Sequence, residues 1–121
     1  YSDDMTVVSS NIVVNTSGTY MVGYESSFTS VTEGARQFYF TVNRATDPSL
    51  DLTVSRHAHQ AQAIDDVNSD LCVMSGSDVL QLTATDELTL WGMQGSATKI
   101  QCPFGTANAY QASFWAIYMG A

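Results

Sequence analysis

The stretch SGSDVLQLTATDELTLW, Ser75 to Trp91, decides how the rest of the chain is read. Val79, Leu80 and Leu82 form one apolar patch, and Leu88, Leu90 and Trp91 form a second. Between them, Thr83 to Glu87 is too polar and too rich in turn formers to stay buried. The segment reads as strand, tight turn, strand, a hairpin or elbow whose adjacent acids, Asp86 and Glu87, end a surface turn.

Outward from this segment, period-two alternation recurs and helical periodicity is hard to find. MTVVSS (Met5 to Ser10) and NIVVNT (Asn11 to Thr16) are short runs rich in β-branched residues, and Ser17-Gly18 is a turn signal. In Thr19 to Phe28, Tyr20, Val22 and Tyr24 share one face and Met21 and Gly23 the other. In Arg36 to Arg44, Phe38, Phe40 and Val42 alternate against Tyr39 and Thr41. After the Asp47-Pro48-Ser49 turn, Leu50 to His59 predicts a strand, and the polar Gln60 to Asp70 predicts a loop or one helical turn. Gly92 to Gly95 and Pro103 to Ala109 read as loops. Ala112 to Ala121 closes the chain, with Phe114, Ala116 and Tyr118 on one face and Trp115, Ile117 and Met119 on the other. A strand apolar on both faces must be covered twice, once by the core and once by something else, in a small sandwich another subunit. Short strands at roughly 8–12-residue intervals point to an all-β sandwich or barrel.

Composition sets the limits. The 121 residues make one domain, 1–121, large enough to bury a core without staples. No apolar run approaches the roughly 20 residues of a membrane-spanning helix. Beginning at Tyr1 without a charged-then-apolar leader, the chain reads as part of something longer. Four Lys and Arg against twelve Asp and Glu give a net charge of −8, which repels phosphate backbones and anionic lipid. Nucleic acid and membrane insertion are therefore not expected. Only 13% of residues are charged while 27 are Ser or Thr, which suits an extracellular or particle-surface protein solvated by hydroxyls. Cys72 and Cys102, 30 residues apart, are equally compatible with a disulfide and with two free thiols.

Three segments resemble the C1q/tumour-necrosis-factor-like family. NIVVNTSGTYMVGYESS (Asn11 to Ser27) is similar to that family's early apolar strand, glycine and aromatic-alternating strand, with one aromatic fewer after Gly18. SGSDVLQLTATDELTLW resembles its Ser-Gly, Leu-x-Leu, acid, apolar-x-apolar segment, with Thr85 where a glycine commonly precedes the acid. ASFWAIYMG resembles the closing strand, without its frequent glycine. The resemblance implies a ten-stranded jelly roll of two five-stranded sheets, assembled as a homotrimer and carried on an upstream stalk outside this chain. Trimer-interface candidates are Tyr20, Tyr24, Trp91, Trp115 and Tyr118, among more large aromatics than one small core needs.

Several groupings invite chemistry. His57-Ala58-His59 on a strand would put both imidazoles on one face, a spacing metal sites use, with Asp51, Asp65, Asp66 or a neighbouring subunit as third ligand. That would allow a metal-dependent jelly-roll enzyme, but the glutamate and the glycine-proline motif of cupins are missing. Asp3-Asp4, Asp65-Asp66 and Asp86-Glu87 suit calcium in principle, since it takes about six to eight oxygens, yet none has the Asp-x-Asp spacing of a dedicated loop. No nucleophile-elbow glycine pattern surrounds a serine. The expectation is a non-enzymatic, trimerising head of a fibre or appendage on a cell, spore or virion, of bacterial or phage type. It binds a host-surface protein or carbohydrate through three weak copies of one site. Contacts would come from loops containing Glu33, Asp65, Asp66, Lys99 and Tyr110. The rival is a decoration or capping protein whose function is trimerisation itself.

Overall fold

The computed structural model describes residues 3–8, 11–28, 34–44, 55–64, 72–94, 100–101 and 110–121. Among them run nine strands and no helix: β1 Met5–Val8, β2 Asn11–Val14, β3 Gly18–Phe28, β4 Gly34–Val42, β5 His57–Ile64, β6 Cys72–Leu82, β7 Glu87–Gln94, β8 Ile100–Gln101 and β9 Tyr110–Gly120. They form two antiparallel sheets, a six-stranded one ordered β1-β2-β7-β4-β5 with β8 beside β7, and a three-stranded one ordered β6-β3-β9. The chain repeatedly changes sheet, between β2 and β3, β3 and β4, β5 and β6, β6 and β7, and β8 and β9. This all-β, sandwich-like arrangement is compatible with a jelly roll. The described strands number nine rather than ten, and divide six and three rather than five and five.

The alternation read from the sequence fills the interior as expected. Tyr20, Val22 and Tyr24 of β3 are buried against Phe38 and Phe40 of β4, Leu88 and Leu90 of β7, and Ile12 and Val14 of β2. Phe114, Ala116 and Tyr118 of β9 and Leu80 of β6 pack partly buried against this cluster. The centre of the six-stranded sheet is buried on its far side too, where the Trp91 indole N–H donates to Thr41 Oγ1 at 2.9 Å. Arg56 lies 5.0 Å above the Tyr39 ring there, and His59 meets that ring edge-on at 5.7 Å.

One flank of the sandwich is closed by β5 and β6. The Tyr24 hydroxyl donates to the Ala58 carbonyl at 2.5 Å, with the Phe38 carbonyl 3.1 Å away. Gly76 allows that approach, because a Cβ there would stand 2.9 Å from the Ala58 carbonyl oxygen. Tyr20 ties the opposite end, donating to the Thr16 carbonyl at 2.7 Å with the Asp4 carbonyl at 3.1 Å.

The structure decides one open reading of the sequence and corrects others. Of hairpin and elbow, the Thr83 to Glu87 segment is the elbow: β6 pairs with β3 and β7 with β2 and β4, so it joins the two sheets. Residues 60–64, expected as loop or helical turn, continue β5 through pairs such as Phe38 with Gln60 and Gly34 with Ile64. Their polarity misleads because β5 ends its sheet among the described strands, and Gln60 and Ala61 are exposed there. Of the strand expected over Leu50 to His59, residues 50–54 lie outside the described part, Ser55 and Arg56 are not in a strand, and His57 to His59 belong to β5. Gly92 to Gln94, expected as loop, belongs to β7.

Candidate interaction face

The outward side of the three-stranded sheet is built by strict alternation. With Tyr20, Val22 and Tyr24 of β3 turned inward, Thr19, Met21, Gly23 and Glu25 face out. Register then aligns Val79 of β6, Met21 of β3 and Ile117 of β9 in one cross-strand row. Val79 is 51% exposed, Ile117 54% and Met119 55%, whereas thirteen hydrophobic side chains among the described residues are buried. Trp115 lies next to this row, directly over Gly23, where any Cβ would fall within the indole ring. The missing side chain lets the indole lie flat on the sheet. Ser75, Ser77, Gln81 and Ser113 frame the patch. Glu25 is the one charged residue of this face among the described side chains, although the chain holds twelve acids.

The other aromatics proposed for an interface are placed differently. Tyr20, Tyr24 and Trp91 are at most 3% exposed and fill the chain's own interior, so they leave no surface for a neighbour. The excess of aromatics is taken up by burial on both sides of the six-stranded sheet. Tyr118 is half-buried against Tyr20, with ring centroids 5.2 Å apart. Only Trp115 of the five lies on the outward face. Sequence reading missed Met21 and Val79, whose membership depends on strand register.

The two histidines are separated by a β-bulge. Phe38 pairs with Gln60 but Phe40 with His57, so β5 carries one extra residue there, and Ala58 adopts a φ of +52°. His57 consequently stacks on Phe40 at 5.2 Å on the core side, while His59 meets Tyr39 on the other. The expectation of two imidazoles on one face therefore fails. His57 Nδ1 is 3.3 Å from Asp78 Oδ2, and His59 Nε2 is 2.8 Å from Gln37 Oε1. Among the described residues no group of three or more His, Cys, Asp or Glu is arranged to hold a metal.

The elbow acids are spent on structure. Asp86 accepts from the Thr83 backbone N–H and from Asn43 Nδ2, both at 2.8 Å. Glu87 accepts from Asn11 Nδ2, and its backbone N–H donates to Asn43 Oδ1 at 2.9 Å. Burial raises the Tyr20 phenol above its ordinary value of 10.0, with Asp4 and Tyr118 adding to the rise and the Thr16 carbonyl opposing it.

Of the loop residues expected to touch a ligand, Glu33, Asp65, Asp66 and Lys99 lie outside the described residues, as does Cys102. Tyr110 begins β9 and Cys72 begins β6, their side chains outside the described part. Among known proteins, no family model and no curated sequence matches this chain.

Proposed function

We propose that this chain is a C1q/TNF-like head that assembles as a homotrimer and forms the non-enzymatic attachment end of a fibre or surface appendage. The observation that carries the reading is the outward face of β6, β3 and β9, where Val79, Met21, Ile117, Met119 and Trp115 form an apolar patch with a single acid nearby. On a chain of net charge −8, copies approaching through other surfaces repel, whereas this face adds little repulsion and releases ordered water. The sheet-switching path of the chain supports the jelly-roll part, and the resemblance of the three quoted segments supports the three-fold arrangement and attachment to a host-surface protein or carbohydrate. The φ of +83° at Thr85, where that family commonly has glycine, also supports it.

The test is mass by light scattering at micromolar concentration. The reading expects three times 13.1 kDa, and a clean 13.1 kDa species would refute it. Ile117→Lys, at a half-exposed position, should yield monomer with an unchanged far-ultraviolet spectrum. On a glycan or cell-surface array, that monomer should lose the avidity of the trimer.

A further inference from the structure

The chain has five methionines, and the structure sorts them by what surrounds the sulfur. Met74 is 7% exposed and belongs to the core cluster. Met5 packs partly buried against that cluster, and Met93 sits in β7 with its side chain outside the described part. The remaining two lie on the outward face of the three-stranded sheet. Met21 is half-buried on the central strand β3, in the middle of the row Val79, Met21, Ile117. Met119 is 55% exposed. There β9 carries one extra residue, because Thr19 pairs with Gly120 and Tyr20 with Tyr118, so Met119 has no register partner on β3 and its sulfur is the more open of the two. Of the apolar side chains on this face, these are the ones that one oxygen atom turns polar.

We propose that Met21 and Met119 are an oxidation site that controls assembly: a peroxide converts their thioethers to sulfoxides in the free protomer, and the oxidised face no longer closes into the trimer. This rests on the reading that the β6-β3-β9 face is the trimer contact. In the reaction the sulfur lone pair attacks one peroxide oxygen and the O–O bond breaks. An S–O bond forms, the proton on the transferred oxygen passes to the departing hydroxide, and water leaves. Sulfur loses two electrons and the peroxide gains them. The product is a polar, chiral group bearing a strong acceptor. Its neighbours along the row, Val79 and Ile117, are hydrocarbon, so a sulfoxide covered by another copy keeps an acceptor without a donor. Such a group weakens a contact by about five- to a hundredfold, and a three-fold assembly incurs it three times. A closed trimer in turn covers both sulfurs. Oxidation and assembly therefore exclude one another: an assembled head is protected, and a free one that is oxidised stays single and loses avidity.

Hydrogen peroxide added to the purified protein below and above its assembly midpoint tests this, with peptide mass mapping to read each methionine and light scattering to read the mass. Below the midpoint Met119 should oxidise first, Met21 next and Met74 last. The oxidised protein should need at least about tenfold higher concentration to trimerise, and methionine sulfoxide reductases for both epimers should restore it. Above the midpoint, oxidation of Met21 and Met119 should be slow. Met21→Leu/Met119→Leu keeps volume and apolarity, so it should trimerise like wild type and keep its mass in peroxide, although Met5, Met74, Met93, Cys72 and Cys102 remain. A trimer that survives sulfoxide at both positions would overturn the inference and leave the trimer standing, as would a double variant that peroxide still dissociates. An untreated mass of 13.1 kDa at every concentration would instead refute the trimer, and the switch with it.

Discussion

Thr85→Gly should stabilise this protein, although nearly every glycine substitution in an ordered segment does the reverse. The Asp86 N–H bonds the Thr83 carbonyl at 2.9 Å, closing a four-residue turn with Thr85 in its third position. Its φ is +83° while Ala84 stays negative, which is the geometry of a type II turn. The turn cannot relax, because the Thr85 N–H also donates to the Val14 carbonyl at 2.7 Å and the Ala84 N–H to Ser17 Oγ at 2.8 Å. Left-handed backbone costs an L-residue about 1–2 kcal/mol, and a β-branched one sits at the upper end. Glycine escapes that cost but adds roughly 0.5–1 kcal/mol of unfolded-state entropy. The Thr85 side chain is exposed and takes part in none of the elbow's hydrogen bonds, so little else is lost. The net gain is about 0.5–1 kcal/mol, or a melting temperature higher by about 2–4 °C for a domain of this size. Calorimetry of wild type, Thr85→Gly and Thr85→Ala decides it. Alanine keeps the positive-φ cost and should fall well short of glycine. A Thr85→Gly midpoint equal to or below wild type would refute the strain assignment.

Other perturbations have equally definite directions. Tyr24→Phe removes the hydroxyl that meets the Ala58 and Phe38 carbonyls and should cost about 1–3 kcal/mol in urea unfolding, with native secondary structure retained. Gly76→Ala forces a Cβ against the Ala58 carbonyl oxygen, so it should destabilise by about 1–3 kcal/mol and loosen amide protection in β5 before β3. The raised Tyr20 value means the folded state resists phenol ionisation. Its contribution to stability is therefore complete below pH 10.0, the unfolded value, and is lost as pH rises through the higher folded value. Unfolding free energy measured from neutrality upward should decline above pH 10.0, and Tyr20→Phe should flatten that decline while lowering stability throughout. A decline of the same slope in the variant would assign it to other groups.

The exposed apolar face of β6, β3 and β9 was half legible in the sequence. A last strand apolar on both sides, Phe114 to Met119, announces that one face needs an outside cover. Its companions Met21 and Val79 are single apolar residues in polar company, and only register brings them level with Ile117. The histidines show the opposite failure. Two residues one apart share a face in any regular strand, but one inserted residue at Ala58 reverses parity, and nothing in Arg-His-Ala-His marks a bulge.

The sequence by itself determined which side of each strand is apolar. Alternation is a local property, and Tyr20, Val22 and Tyr24, or Phe38 and Phe40, bury on the side their spacing dictates. Tertiary structure decided which strands meet. Ser75 to Trp91 contains two strands joined by a turn, and local pattern makes them look like partners. They part into different sheets because β6 gains eleven paired positions along β3, while β7 completes the layer between β2 and β4. Pairing is settled by contacts between residues dozens of positions apart, and those contacts leave no period in the sequence to read.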